Sequence, residues 1–400
     1  MKKPLLTLIF GILLFCANGQ QTDDNATVEE RLDKLESKTT ILDKLKFSGL
    51  VQAQWVWDES GIADDEQNKF TIRRGRFRAE YAEKFGSAVL QLEITESGVK
   101  IHEGYINLKA AEYASLTAGV FARPFGHEAT VKAALRETPE VSRIYRTLFV
   151  GEAEIGAMVN LKAPTGSFVD GLALRAAIVN GNGGRAEETD SRKDFTGRLS
   201  YSKGFGCFGF GAGVSYYYGN KKLAQGAWEY RFRNKRYELN TADIKYSKRE
   251  YFSADLQLHL SSVIGKTTLR GEYFTGIQPG GLDNSTSGTE PLEEIVLSRK
   301  FSGYYIYFIQ DIARTKHSFI ARYDNYDPSR KLGKSEIQTY GDIAYNTYGL
   351  GWMFRANRHV WLSAFYEFVR NEKTNGYLFP EILRTDFPDD IFTLRLQYAF

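Results

Sequence analysis

The chain has 400 residues, and 24 tyrosines and 27 phenylalanines against only 9 prolines suit many long strands with aromatic borders. Its 52 basic residues nearly balance 49 acidic ones, which excludes the strongly basic surface of a nucleic-acid binder. A mean hydropathy of −0.37 excludes a bundle of membrane helices but not a barrel, whose apolar half is hidden by alternation.

Residues 1–19 read as a cleavable secretory signal: Lys2 and Lys3 open it, an apolar run extends from Leu5 to Cys16, and Ala17 and Gly19 precede a cut before Gln20. The run is shorter than the roughly 20 residues a membrane helix needs. Phe15 stands before Cys16 where lipidation requires a small residue. Removal of the signal leaves Cys207 alone, so the mature chain has no intramolecular disulfide. Residues 20–46 form a second segment, in which Val28, Leu32, Leu35, Thr39 and Leu42 follow a heptad seam. Two readings fit it, a periplasmic trimerising stalk and a solvated amphipathic helix.

From residue 47 to 400 the period changes to two. Strands are expected at residues 47–57, 69–81, 87–95, 100–109, 114–122, 151–162, 171–180, 194–203, 207–219, 251–260, 265–276, 301–312, 317–327, 342–355, 359–370 and 390–400. Short and long connections alternate, and an even count returns both ends to one side of a membrane. Residues 237–246 also read as a strand and are assigned to a loop, because a seventeenth member would break that topology. The last strand shows the pattern most clearly, with Phe392, Leu394, Leu396, Tyr398 and Phe400 on one face and Thr393, Arg395 and Gln397 on the other. A final strand ending on Phe400 is the kind that outer-membrane barrels present to their assembly machinery.

In the second strand Arg74, Arg76, Arg78 and Glu80 share a face opposite Gly75, Phe77, Ala79 and Tyr81. Each arginine would cost about 2–4 kcal/mol on a lipid face, so the column faces water. In the tenth, Phe252, Ala254, Leu256, Leu258 and Leu260 oppose Ser253, Asp255, Gln257 and His259. The expectation is an all-β transmembrane antiparallel barrel of about sixteen strands, wide enough for an aqueous channel.

Signals for chemistry are weak. The five histidines lack metal-ligand spacing, and His127-Glu128 has no second histidine at the zincin distance. His259 near Ser253 reads better as a hydrogen-bonding lumen residue than as a catalytic partner. Gly181–Gly184 opens no helix that could cradle a phosphate. Gly209, Gly211 and Gly213 read as relief in a curved strand, and Cys207 as inert. No cofactor, metal or enzymatic activity is expected.

Gly119-Val-Phe-Ala-Arg-Pro-Phe-Gly-His-Glu128 resembles the loop-entry turn of the phosphate-selective porin O and P family. Val179-Asn-Gly-Asn-Gly183 and Lys193-Asp-Phe-Thr-Gly-Arg-Leu199 are similar to its next landmarks. Ala254-Asp255, Arg270-Gly-Glu-Tyr273, Gly303-Tyr-Tyr-Ile306 and Ala321-Arg-Tyr-Asp324 through Asp327-Pro328 follow in family order. The sequence departs at Val120–Ala122, where the pattern carries a lysine. The resemblance implies a homotrimer in outer-membrane lipid whose third loop, here residues 123–150, folds into the pore.

That loop carries Arg123, Lys132, Arg136, Arg143 and Arg146 against Glu128, Glu137 and Glu140. Alternation puts Arg175, Arg198, Arg270, Arg322 and Arg395 on the lumen face with the Arg74 column. Planar guanidinium donors suit phosphate, and positive constrictions select anions. The competing reading is structural. Glu80, Glu93, Glu103, Glu152, Glu154, Asp255, Glu272, Asp324 and Glu367 face the same lumen, and pairs such as Arg322 with Asp324 or Arg270 with Glu272 would brace the wall. Three functions follow: passage of small phosphate-like anions, passage of small nutrients without charge preference, or a barrel whose long loops, such as residues 220–250, bind an outer-membrane partner.

Overall fold

The computed structural model describes residues 43–61, 64–183, 187–233, 236–240, 245–337, 339–375 and 381–400. The signal segment and the heptad seam from Val28 to Leu42 lie outside the described residues. No described helix is long and apolar enough to cross a membrane.

In chain order the strands are β1 (Leu45–Asp58), β2 (Asn68–Glu83), β3 (Gly86–Thr95), β4 (Gly98–Ala111), β5 (Ala114–Ala122), β6 (Ala153–Lys162), β7 (Leu172–Val179), β8 (Asp194–Phe205) and β9 (Phe208–Lys222). They continue as β10 (Trp228–Arg233), β11 (Arg236–Leu239), β12 (Tyr246–Ser262), β13 (Gly265–Gly280), β14 (Ile295–Asp311), β15 (His317–Asp327), β16 (Tyr345–Arg355), β17 (Val360–Asn371) and β18 (Ile391–Ala399). All but β10 and β11 form one closed antiparallel barrel of sixteen strands. The seam is β1 against β18, in register from Leu50↔Ala399 to Asp58↔Ile391. Gly49 and Phe400 complete it with two backbone hydrogen bonds of 2.9 and 3.0 Å. A Cβ at Gly49 would stand 2.3 Å from the Phe400 ring, so the last side chain packs where its partner has none.

The expected strands are present, with two differences at the long-loop end. Strands β12, β13 and β14 rise several residues higher than alternation indicated, because Tyr246↔Lys222 and Gly280↔Leu297 still pair there. Polar runs such as Ser247-Lys248-Arg249 read as loop, but a wall standing above the apolar band needs no apolar outer face. The second difference concerns residues 237–246. Within them β11 pairs with β10, and β10 runs parallel to the top of β14, Trp228↔Ile295 to Arg231↔Ser298. This hairpin sits on the rim outside the barrel count, and Tyr246 already belongs to β12.

Alternation sorts the two faces. Leu256, Leu269, Ile306, Phe308 and Leu396 are 40–53 % exposed, whereas Ser253, Glu272 and Arg395 on the opposite faces are buried. An outward belt of leucine, isoleucine and phenylalanine around a sealed wall is a lipid-facing surface. Strand β2 breaks phase once. Phe70 and Ile72 are exposed above the break and Phe77 below it, which leaves Arg73 and Arg74 both turned inward.

The packed core lies inside the cylinder. Phe125, Val141, Ile144, Tyr145, Leu148 and Phe149, all from residues 123–150, bury themselves against inner aromatics including Tyr217, Tyr251, Phe274, Phe301 and Tyr305. Gly303 makes room for this, since a Cβ there would come within 2.7 Å of Ile144 Cδ1.

Replacing Leu256 by arginine puts a guanidinium into the outer belt. The expected cost is about 2–4 kcal/mol, read as a lower urea midpoint for the protein folded in vesicles. An unchanged midpoint would mean that this face does not meet lipid.

Candidate functional site

The third long loop joins β5 to β6 and runs inside the barrel. It has little regular structure: two single turns at Glu128–Thr130 and Ala133–Leu135, then the short helix α1 (Arg143–Leu148). Many of its polar groups are therefore satisfied by the wall, beside a few bonds within the loop. On entry, the Gly126 amide donates to Ser215 Oγ at 3.0 Å and the His127 amide to Glu272 at 3.0 Å. The Glu128 carboxylate accepts from the Ser142 amide, the Ser142 hydroxyl and the Tyr307 hydroxyl at 2.6–2.9 Å, which draws the two arms of the loop together on β14.

The loop then crosses to the seam. Gln52 and Gln397 donate to the carbonyls of Ala133 and Ala134, and Arg395 to that of Pro139 at 2.7 Å. Arg73 grips the Glu140 carboxylate with two bonds of 2.6 and 2.7 Å, Arg395 adds a third at 3.2 Å, and Arg322 donates to the Glu140 carbonyl. Glu137 accepts from Arg270 at 2.7 Å. Where the loop returns to the wall, Glu152 collects Arg136 at 2.7 Å, Arg76 at 3.1 Å and Arg74 at 3.4 Å.

Nine of the thirteen cations singled out from the sequence are thus spent on carboxylates, and a tenth, Arg143, only stands near one. Besides those above, Arg123 pairs with Glu154 at 2.6 Å, Arg78 with Glu103 and Glu80 at 2.8 and 3.1 Å, and Arg143 meets Asp389 at 3.6 Å. Arg198 pairs with Asp255, and Arg322 with Glu367 and with Asp324 at 3.1 Å. The bracing of Arg322 by Asp324 was expected; Arg270 bypasses Glu272 for Glu137, which only the inward fold of the loop brings near. Three cations remain exposed with no hydrogen-bond or ion-pair partner among the described residues: Lys132, Arg146 and Arg175. Arg175 lies in register with Asn160 on β6 and Arg198 on β8.

Arg73 was missed by sequence reasoning. Strict alternation from Arg74 sends it outward, yet it is the strongest ligand of Glu140. The signal was present: apolar Phe70 and Ile72 have the opposite parity to Gly75 and Phe77, so two consecutive arginines mark the slip. His259 Nδ1 shares a hydrogen bond with Thr268 Oγ1 at 2.9 Å, and no bond joins it to Ser253 among the described residues.

On the side of β4–β7 the inner polar groups bond one another. Asn107 reaches Ser115 and Thr117, and Asn160 reaches Thr117, at 2.8–3.1 Å. From this side the loop is held chiefly by Glu154 of β6, which takes Arg123 at 2.6 Å; most of its other polar ties run to β1, β2, β8, β9, β13–β15 and β18.

Two loop carboxylates carry the cross-ties. Burial alone would raise the Glu140 carboxyl, but the Arg73 hydrogen bond and the charges of Arg73, Arg74 and Arg395 outweigh it and hold it at about 2. Glu152 is buried too, and Arg136, Arg76 and Arg74 hold it far below the ordinary carboxylate range. Both titrate lower in the fold than free, so their anchoring is complete above the ordinary value of 4.5; that of Glu140 is lost as pH falls toward about 2, and that of Glu152 only in stronger acid. Near-ultraviolet circular dichroism from the tyrosines under the loop should fade between pH 4 and 2 while the strand signal persists. At neutral pH, Glu140→Gln leaves Arg73 and Arg395 without a counter-charge, a loss of about 3 kcal/mol of anchoring. Hydrogen exchange across residues 123–150 should accelerate accordingly, and unchanged exchange would deny Glu140 this role.

No protein-family model and no curated protein matches the chain. Solved structures do match in shape. An anion-selective porin from Comamonas acidovorans aligns with 89 % of this chain and 99 % of its own at 10 % identity and a TM-score of 0.57. The outer membrane channel DcaP of Acinetobacter baumannii aligns over 89 % and 97 % at 10 % identity and 0.56. OmpT of Vibrio cholerae, an outer membrane protein in its trimer form, aligns over 89 % and 99 % at 10 % identity and 0.53. The chain has the fold of outer-membrane porins.

Proposed function

We propose that this chain is an outer-membrane porin through which small hydrophilic solutes diffuse down their gradients, with a mild preference for anions. The observation that carries the reading is the charge left over in a narrowed lumen. Each of the inner carboxylates from Glu80 to Glu367 named above has a hydrogen-bond donor or an ion-pair partner, whereas Lys132, Arg146 and Arg175 are cations without a partner among the described residues. A fixed positive charge beside a water-filled path enriches anions, and weak multi-point binding lets them leave.

In this reading the long loops face the exterior and the short turns the periplasm. The chain assembles as a homotrimer in outer-membrane lipid, and its final strand, ending on Phe400, engages the assembly machinery. Phosphate is the anion best suited to Arg175, since a guanidinium offers two parallel donors to its oxygens, and the family resemblance points the same way. A second reading, a porin without charge preference, is favoured by the nine paired cations, because paired charges leave little net field.

Reversal potentials in a potassium chloride gradient across planar bilayers separate the two. The expected result is a chloride-to-potassium permeability ratio modestly above one, lowered severalfold by Arg175→Glu, with phosphate reducing chloride current in the wild type and less so in Arg175→Ala. A zero potential that Arg175→Glu leaves unmoved would establish the unselective porin. Absence of conductance would remove both.

A further inference from the structure

At the long-loop end, beyond α1, lies an open cavity of about 520 Å³. Its wall combines Arg143 and Arg146 of the third loop with Asp58 at the top of β1, Asp283 in the β13–β14 loop and Asp389 just before β18. Two arginines against three aspartates make a site of both signs. The question is whether those charges are already consumed.

They are not. Arg146 and Asp283 are exposed and have no hydrogen-bond or ion-pair partner among the described residues. Asp58 uses one carboxylate oxygen, Oδ1, for the amide and hydroxyl of Ser60 at 3.0 and 2.6 Å. Arg143 lies over the Tyr345 ring at 4.0 Å and meets Asp389 only at 3.6 Å, beyond a normal hydrogen bond. The pair is underused: the buried atoms Arg143 Nε and Asp389 Oδ1 have no hydrogen-bond partner, while other parts of both side chains leave them about a quarter exposed. The close pairs deeper in the lumen, such as Arg73 with Glu140 at 2.6 Å, show what a consumed pair looks like here.

A simple anion entering this cavity gains two arginines but meets three aspartates, and a simple cation faces the converse. A solute carrying both charges a few atoms apart satisfies both sets without leaving a desolvated charge unpaired. The volume admits something of amino-acid to dipeptide size.

We propose that this vestibule binds zwitterionic amino solutes, amino acids and dipeptides, with the carboxylate on Arg143 and Arg146 and the ammonium on the aspartates led by Asp389. The role as an entry site rests on the porin reading above, but binding itself does not.

The test is saturation-transfer NMR on the full-length protein folded in detergent micelles. The probes are alanyl-alanine, its N-acetyl form, its C-terminal amide and maltose. Alanyl-alanine should bind at least about tenfold more tightly than either blocked form, the ratio expected for losing one charge-assisted contact. Asp389→Asn should erase its advantage over the acetylated form, and Arg146→Gln its advantage over the amide. Equal binding of the three peptides, tighter binding of maltose, no binding at all, or wild-type ratios in both variants would overturn the proposal. Because the readout needs no current, a protein that binds selectively but does not conduct would remove only the porin reading. A conducting barrel that treats the three peptides alike would remove only this one.

Discussion

The constraint on which everything else depends is that hydrocarbon offers no partner to a backbone N–H or C=O. A sheet in that medium must close on itself, and here the first and last strands make the closing pair, β1 with β18, completed by Gly49 and Phe400. Closure fixes the period of the side chains at two, so each strand is committed to one greasy and one wet face. All the charge that these strands carry through the belt is driven to the inside.

A sixteen-stranded cylinder is too wide for its own inner side chains to fill. The third loop fills part of it, and does so by splitting its residues as the strands do. Its two phenylalanines, its one tyrosine and its isoleucine stand on a largely aromatic floor contributed by β9 and β12–β17, while its carboxylates are clasped by arginines from β2, β13 and β18. The apolar half supplies the non-directional adhesion, and the ion pairs fix the path of a segment that has almost no secondary structure. The same guanidiniums therefore cannot serve fully as solute sites. Structure and selectivity compete for one set of residues.

How far the sequence reveals this follows from the range of the interactions involved. Strand count, closure and facing are written in local alternation, so the Arg74 column and the Leu256 face were legible. Partnerships were not, because they depend on where a distant loop lies: Arg270 and Glu137 are 133 residues apart, and Arg395 and Glu140 are 255 apart. Arg322 with Asp324, two residues along one face, was legible for the opposite reason. Arg73 sits between these cases. Its inward turn is local, but it breaks the period that the reading relies on, and only the changed parity of Phe70 and Ile72 betrays it. The rise of β12–β14 was hidden because, above the belt, nothing requires apolar residues outside.

The count of inner arginines is therefore a poor guide to the field a solute meets. A guanidinium held 2.6–3.1 Å from a carboxylate presents a dipole, whose potential falls off faster than that of a lone charge and is screened within about 10 Å at ordinary salt. An unpartnered cation acts as a full charge over that distance, and low-dielectric walls concentrate its field along the lumen. On this argument Arg175, one exposed side chain on β7, adds more to the field inside the barrel than the paired column of Arg74, Arg76 and Arg78. Arg74 and Arg76 hold Glu152, and through it the loop, in place, while Arg78 braces the wall through Glu80 and Glu103. Electrostatic work in this barrel is divided by pairing state rather than by position along the wall.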